Sequence, residues 1–307
     1  MADRSKVLVV AQIPPELRAR LGERYDLVEL DSAAAARSEN STNGFEVAVT
    51  TSIGGADAAL MAALPGLRLI ACNGTGLERI DMAEAERRGI AVRHTPDVVT
   101  EDTADFAIAL IYAVGRRLAE ADRFVRAGHW RERRMTPSRR LHGKALGIVG
   151  LGKIGAAVAR RAAGLELALR YTGPREKPDS GVAFEPDLGA LAAWADILVL
   201  SCPGGPDTEN MVDAAVLRRL GPDGLLINVA RGSVVDEAAL LAALEGDAIA
   251  GAGLDVFADE PDVDPRFFAL ENAVLAPHYA AVTRETREAM ASLLDGAIGR
   301  YFAGKAP

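Results

Sequence analysis

Cysteine is scarce. The two residues, Cys72 and Cys202, stand far apart without CxxC spacing or an accompanying histidine pair, which excludes a disulfide framework and a thiolate zinc centre. Such usage suits a cytoplasmic setting. Long apolar runs are missing too: none approaches the roughly 20 residues needed to span a bilayer. The opening "MADRSKVLVVAQIPP" is too short in apolar residues and too charged at its start for a signal peptide, and reads as a first strand from Val7 to Ala11. Net positive charge is absent. With 35 Lys and Arg against 43 Asp and Glu the formal charge is −8, a balance that repels nucleic acid and membrane surfaces. Only four histidines occur, none at the i, i+4 spacing of a metal site, so no metal is expected.

What is present is ordinary globular material, 49% apolar and 25% charged. A chain of 307 residues exceeds one average domain and predicts two modules. The first hundred residues alternate β-rich runs ("VLVVA", "VAVTT", "LRLIACN", "AVRHT") with helical segments, the pattern of a small open α/β sheet. From Thr100 to Gly128 the sequence predicts one long helix, with Thr100 or Asp102 as N-cap and Gly128 as its stop. Its apolar residues occupy more than one face, which predicts burial between domains or subunits. A basic run follows, "RERRMTPSRR" from Arg131 to Arg140. It reads as a solvated loop, with a phosphate or partner contact as the lesser reading.

A stronger βαβ series begins at Ala145: "ALGIVG", "LELALRY", "ADILVLSCP", "GLLINVARG", "AIAGAGLDVF" and "AVLAPH" read as buried strands separated mostly by helices. Near-continuous apolar strands predict a parallel sheet covered on both faces. The helical tail from Thr283 to Phe302 has no strand of its own there and is expected to return to the first module. The only low-complexity segment is "AAAA" at Ala33 to Ala36.

"GLGKIG" spans Gly150, Gly152, Lys153, Ile154 and Gly155, with a strand before it and a helix after it. That context turns a common glycine pattern into a dinucleotide-binding expectation. An acid near the end of the next strand would bind a ribose 2′-OH, but "YTGPREKP" has none before Glu176. Arg175 and Thr172 stand there instead and suit a 2′-phosphate. NADP(H) is therefore favoured over NAD(H), which remains the alternative.

Three polar residues follow predicted strands: Arg231 after "LLINVA", Glu260 after "GAGLDVFAD" and His278 after "AVLAP". An arginine clamps a carboxylate, a histidine transfers a proton near neutral pH, and a carboxylate beside it fixes its tautomer. His94, His129 and His142 read as structural or exposed, and Cys202 as a packing residue.

With these residues the chain resembles the D-isomer-specific 2-hydroxyacid dehydrogenases, in the style of the NADPH-preferring branch that reduces glyoxylate and hydroxypyruvate. "NGTGLERID", "TPDVVTEDTADFAIAL", "GIVGLGKIG", "SCPGGPDTENMV", "NVARGSVVDEAAL", "GAGLDVFADEP" and "PHYAAVT" carry the resemblance over nearly the full length. It implies two Rossmann-like doubly wound α/β domains. A dinucleotide-binding domain, 99–282, would be inserted into a flavodoxin-like substrate domain, 1–98 plus 283–307. It implies His278 as general acid, Glu260 as its partner and Arg231 as carboxylate anchor, with backbone donors at Thr75 and Gly76. Asp255 resembles the residue that contacts the carboxamide. Thr103, Cys202, Pro203, Thr208, Val229 and Ala230 resemble other cofactor-lining positions. Threonine at Thr75, glutamate at Glu78 and "PHYAAVT" depart from the commoner valine, aspartate and "PHIGSAT" of the family. Pro174 displaces the arginine by one place.

The expected activity is NADPH-dependent reduction of a small 2-keto acid to a D-2-hydroxy acid by a cytoplasmic homodimer. The alternatives are an NAD-linked D-2-hydroxyacid dehydrogenase and a non-catalytic dinucleotide-sensing interaction protein.

Overall fold

A computed structural model describes residues 4–30 and 44–305; the alanine run at Ala33 to Ala36 lies outside them. The chain divides into two compact units. One comprises Met1–Val99 and Val282–Pro307, and the other Thr100–Ala281, so the second interrupts the sequence of the first.

In the first unit the described elements are β1 (Lys6–Val9), α1 (Pro15–Gly22), β2 (Asp26–Glu29), β3 (Val47–Thr51), α2 (Ala58–Ala63), β4 (Leu69–Asn73), α3 (Met82–Arg87) and β5 (Ala91–Arg93). The strands pair in parallel in the order β2-β1-β3-β4-β5, the flavodoxin-like arrangement. Alternation along the strands divides the core. Val7, Val9, Val47, Val49 and Leu69 face one side with Leu17 and Leu21 of α1. Leu8, Ala48, Ile70 and Cys72 face the other, with Leu60 and Met61 of α2. Burial on both faces is why these strands read as continuous apolar runs. The C-terminal helix (Arg284–Phe302), N-capped by the Thr283 hydroxyl, places Ala291, Leu294 and Ile298 in the first of these clusters.

The second unit begins with α4 (Thr100–Gly115), α5 (Leu118–Arg126), β6 (Ala145–Val149), α6 (Lys153–Gly164), β7 (Ala168–Thr172) and β8 (Ala183–Phe184). It continues with α7 (Leu188–Trp194), β9 (Ile197–Leu200), α8 (Ala214–Leu220), β10 (Leu225–Asn228), α9 (Glu237–Glu245), β11 (Gly251–Leu254) and β12 (Ala273–Leu275); the C-terminal helix above is α10. All seven strands are parallel, in the order β12-β11-β10-β9-β6-β7-β8. The order reverses between β6 and β9, the switch point where such sheets take ligands at the carboxyl ends of their strands. Leu198, Leu200, Leu226 and Leu254 pack with α7, α8 and α9 on one face. Leu146, Ile148, Val199 and Ile227 pack with α4 and α6 on the other.

The single helix expected from Thr100 to Gly128 is two helices. Arg117 adopts left-handed torsions, φ 51° and ψ 42°, and its guanidinium forks onto Glu120 at 2.5 and 2.8 Å. The Gly115 carbonyl at the break accepts the Arg139 N–H. Local pairing thus ends the first helix where apolar periodicity alone carried it on. Ala104, Ala107, Leu110, Ile111 and Val114 bury one stripe of α4 in its own unit. The basic run is partly tied down by Arg139 on Asp223 at 2.5 Å and Arg116 on Ser138 at 3.0 Å. Arg131, Arg133, Arg134 and Arg140 are exposed. Strands β2 and β8 escaped the sequence reading: β2 lies at a sheet edge with charged ends, and β8 has two residues. Among the described residues no helix is long and apolar enough to cross a membrane.

Candidate active site

The turn after β6 has the form the glycine pattern requires. Gly150 has φ +93°, and a Cβ there would meet the Cys202 backbone. A Cβ on Gly155 would lie 2.2 Å from the Gly150 carbonyl, whereas one on Gly152 would meet nothing within 4 Å. Two glycines are therefore demanded by the protein itself, and the middle one leaves open space against the backbone. Helix α6 starts at Lys153 with Gly152 as its cap, a residue that makes no side-chain cap bond. Backbone donors beside open space fit a dinucleotide pyrophosphate. The Ser201 hydroxyl donates to the Gly150 carbonyl at 2.8 Å, tying the turn to the end of β9 across the switch point.

The other expected cofactor positions differ in exposure, and Cys202 lies against the turn, beside Gly150. Ile154 is half-buried, Lys153 exposed and Thr103 buried. Cys202, Val229 and Ala230 are buried; burial pushes the Cys202 thiol up to about 11, so it stays protonated. Pro203 is exposed, and its carbonyl accepts from the Thr208 hydroxyl at 2.9 Å. Thr172 is buried with its hydroxyl 3.5 Å from the Pro186 carbonyl, while Arg175 is exposed.

At the carboxyl ends of β10, β11 and β12 the second unit brings Arg231, Asp255, Glu260 and His278 together. His278 Nδ1 lies 2.7 Å from Glu260 Oε2, and Glu260 Oε1 accepts the Phe257 N–H at 3.0 Å. The Glu260 hydrogen bond, reinforced by the charges of Glu260 and Asp255, raises the His278 pKa against burial and the charge of Arg231. Burial alone would raise Glu260. His278, the Phe257 N–H and the Arg231 charge outweigh it, and Glu260 falls below the ordinary carboxylate range. The outcome is a histidine–carboxylate pair in which each partner favours the charged form of the other, and whose histidine keeps 40% of its side chain exposed.

His278 is also left-handed, φ 51°, a conformation that costs a non-glycine residue and needs support. The support is Asp255. Its carboxylate accepts the N–H groups of Tyr279 at 2.6 Å and Ala280 at 3.0 Å, and its carbonyl accepts that of His278 at 2.8 Å. Burial raises the Asp255 pKa against these donors. Tyr279 is half exposed, and its ring stands edge-on to Phe106 at 6.2 Å.

Arg231 follows β10, with Nη1 2.7 Å from the Ala230 carbonyl. Asn228, which the sequence reading missed, braces that turn: its Oδ1 accepts the Ala230 N–H and its Nδ2 donates to the Arg231 carbonyl, both at 3.0 Å. The signal was available, since a buried asparagine ends an otherwise apolar strand. In the first unit, Gly74 and Thr95 interlock through the Thr95 hydroxyl, and His94 Nδ1 lies 3.0 Å from the Thr75 carbonyl. No backbone carbonyl among the described residues accepts the N–H of Thr75 or Gly76. No cluster of metal-ligating side chains occurs among them either.

Residues 108–280 match the family described as D-isomer specific 2-hydroxyacid dehydrogenase, NAD binding domain. The chain belongs to the D-isomer-specific 2-hydroxyacid dehydrogenases. It is 42% identical to a 2-ketogluconate reductase of Gluconobacter oxydans, over 99% of this chain and 98% of that one. It is 40% identical to a glyoxylate/hydroxypyruvate reductase A of Arabidopsis thaliana, over 97% and 96%. A crystal structure of an NADPH-dependent glyoxylate/hydroxypyruvate reductase from Sinorhizobium meliloti, in complex with NADP and malonate, is 38% identical and superposes with a TM-score of 0.92. That match covers 98% of this chain and 94% of the other. The two-sheet architecture of this dehydrogenase is thus that of its family.

Proposed function

We propose that this dehydrogenase reduces small 2-keto acids, such as glyoxylate and hydroxypyruvate, to D-2-hydroxy acids, with NADP(H) as its cofactor. The observation that carries the proposal is the 2.7 Å pair of His278 Nδ1 and Glu260 Oε2 in the unit that holds the glycine turn. The relatives named as reductases of such acids support it.

The turn from Gly150 to Gly155, with Cys202, Pro203, Thr208, Val229, Ala230, Thr103 and Asp255, would hold the dinucleotide, which supplies a hydride when bound. Arg231 binds the substrate carboxylate and polarises the keto group. Thr75 and Gly76 of the first unit take the part of carboxylate donors. Because Glu260 engages Nδ1, the proton leaves His278 from Nε2. As the keto carbon gains the hydride, the C=O π pair moves to oxygen and takes that proton. A neutral imidazole remains, which solvent reprotonates. The first unit then serves as substrate domain and the second as cofactor domain. A cytoplasmic homodimer goes with this reading, and the exposed Leu118, Val125 and Trp130 of the second unit support a partner copy.

Initial rates of glyoxylate and hydroxypyruvate reduction with NADPH and with NADH test the proposal. Turnover with NADPH is expected, and no turnover with either cofactor would overturn it. An NAD-linked oxidation of D-2-hydroxy acids is the second reading, favoured by the family's description of this region as NAD binding.

A further inference from the structure

The loop after β7 is where an NAD-type site keeps its ribose-binding acid, and here it has none before Glu176. Of the two groups first credited with a 2′-phosphate, the Thr172 hydroxyl is turned to the Pro186 carbonyl and Arg175 stands exposed. Lys177 is exposed as well, but two contacts hold it. The backbone N–H of Lys177 donates to the phenol oxygen of buried Tyr171, whose ring packs on Phe184 at 5.2 Å. From that anchor the Lys177 side chain returns to the glycine turn, and its Nζ donates to the Leu151 carbonyl at 2.5 Å.

An ammonium has three donors. The Leu151 carbonyl takes one of them and neutralises none of the charge. The loop therefore fixes a cation, with donors to spare, on the rim of the turn that receives the dinucleotide. A phosphate dianion gains from a cation placed there, whereas a 2′-hydroxyl, which carries no charge, gains far less. We propose that Lys177 is a 2′-phosphate ligand and the residue that selects NADP(H) over NAD(H). The inference rests on the cofactor reading above and names the group that enforces it.

Fluorescence titration of NADPH and NADH, with competition by 2′,5′-ADP and 5′-AMP, tests it without turnover. Lys177→Ala is expected to weaken NADPH and 2′,5′-ADP roughly 10- to 100-fold and to leave NADH and 5′-AMP within about twofold. Lys177→Gln keeps a donor for the Leu151 carbonyl without the charge, and is expected to lose the preference in the same way; Lys177→Arg is expected to retain most of it. If both dinucleotides weaken equally in the alanine variant, Lys177 only ties the turn and the proposal fails. The same holds if the wild-type preference survives in the glutamine variant. A wild-type protein that binds NADPH no tighter than NADH, and 2′,5′-ADP no tighter than 5′-AMP, overturns the cofactor reading itself, and this proposal with it.

Discussion

Glu260 divides its carboxylate between two tasks: Oε1 accepts the Phe257 N–H at 3.0 Å, and Oε2 faces His278 Nδ1 at 2.7 Å. Because one oxygen is held by backbone, the other meets the imidazole in a fixed place. A flexible surface carboxylate would not orient the ring or keep Nε2 as the atom that exchanges a proton.

That pairing predicts a pH dependence. Reduction needs protonated His278, so kcat/KM for a keto acid should fall as pH rises through the raised His278 pKa. In Glu260→Gln a neutral amide oxygen replaces the carboxylate, so the charge-assisted hydrogen bond and the charge of Glu260 that raise it are gone. Asp255 still raises it, burial and Arg231 still lower it, and the fall should move to lower pH. For stability the signs are opposed. The His278 contribution is full below its unfolded value of about 6.5 and is lost as pH climbs through the raised folded one. The Glu260 contribution is lost as pH drops through its lowered one. Rate profiles of wild type and variant check this; superimposable profiles would assign the titration to another group.

His278→Ala should remove the proton donor and leave the glycine turn intact. Turnover should drop by roughly 10²- to 10⁴-fold, with NADPH affinity, read by fluorescence, within about threefold. Retained turnover would move the general acid elsewhere.

Arg175 is exposed in the same loop as Lys177, and under the proposal its charge would add long-range attraction for a phosphate. Arg175→Ala should raise the KM for NADPH more than that for NADH, by a smaller factor than the lysine variants. Equal changes for the two cofactors would remove Arg175 from the phosphate site.

Asn228 is 1% exposed and satisfies two backbone groups. Asn228→Ala should cost about 1–3 kcal/mol, measured by urea denaturation, and should lower kcat/KM because the Arg231 turn loses its brace. Unchanged stability together with unchanged kinetics would show that water replaces the amide at no cost.

How much was legible depended on how local each feature is. The strand, turn and helix around "GLGKIG" follow from residues adjacent in sequence, and the helix expected after the turn is there, from Lys153 to Gly164. The break at Arg117 was not, because an apolar period does not register a left-handed residue held by Glu120 and a Gly115 carbonyl taken by Arg139. The loop at "YTGPREKP" drew attention to Arg175 through its register. Nothing in that register marks Lys177, whose ammonium meets Leu151, 26 residues earlier, only in the folded chain.

By itself the sequence determined the α/β character of the chain, the glycine turn and the residue types that the proposal assigns to proton transfer and carboxylate binding. Periodicity and turn chemistry act between near neighbours and are written directly in the chain. Only the tertiary structure decided that Glu260 takes Nδ1 of His278, that Asp255 holds that histidine left-handed, and that Asn228 braces Arg231. The contacts of Glu260 and Asp255 join the ends of separate strands, and their partners are chosen by the order in which the parallel sheet sets β11 and β12 side by side; the Asn228 turn is local to the end of β10 and needs the chain to turn back at Arg231.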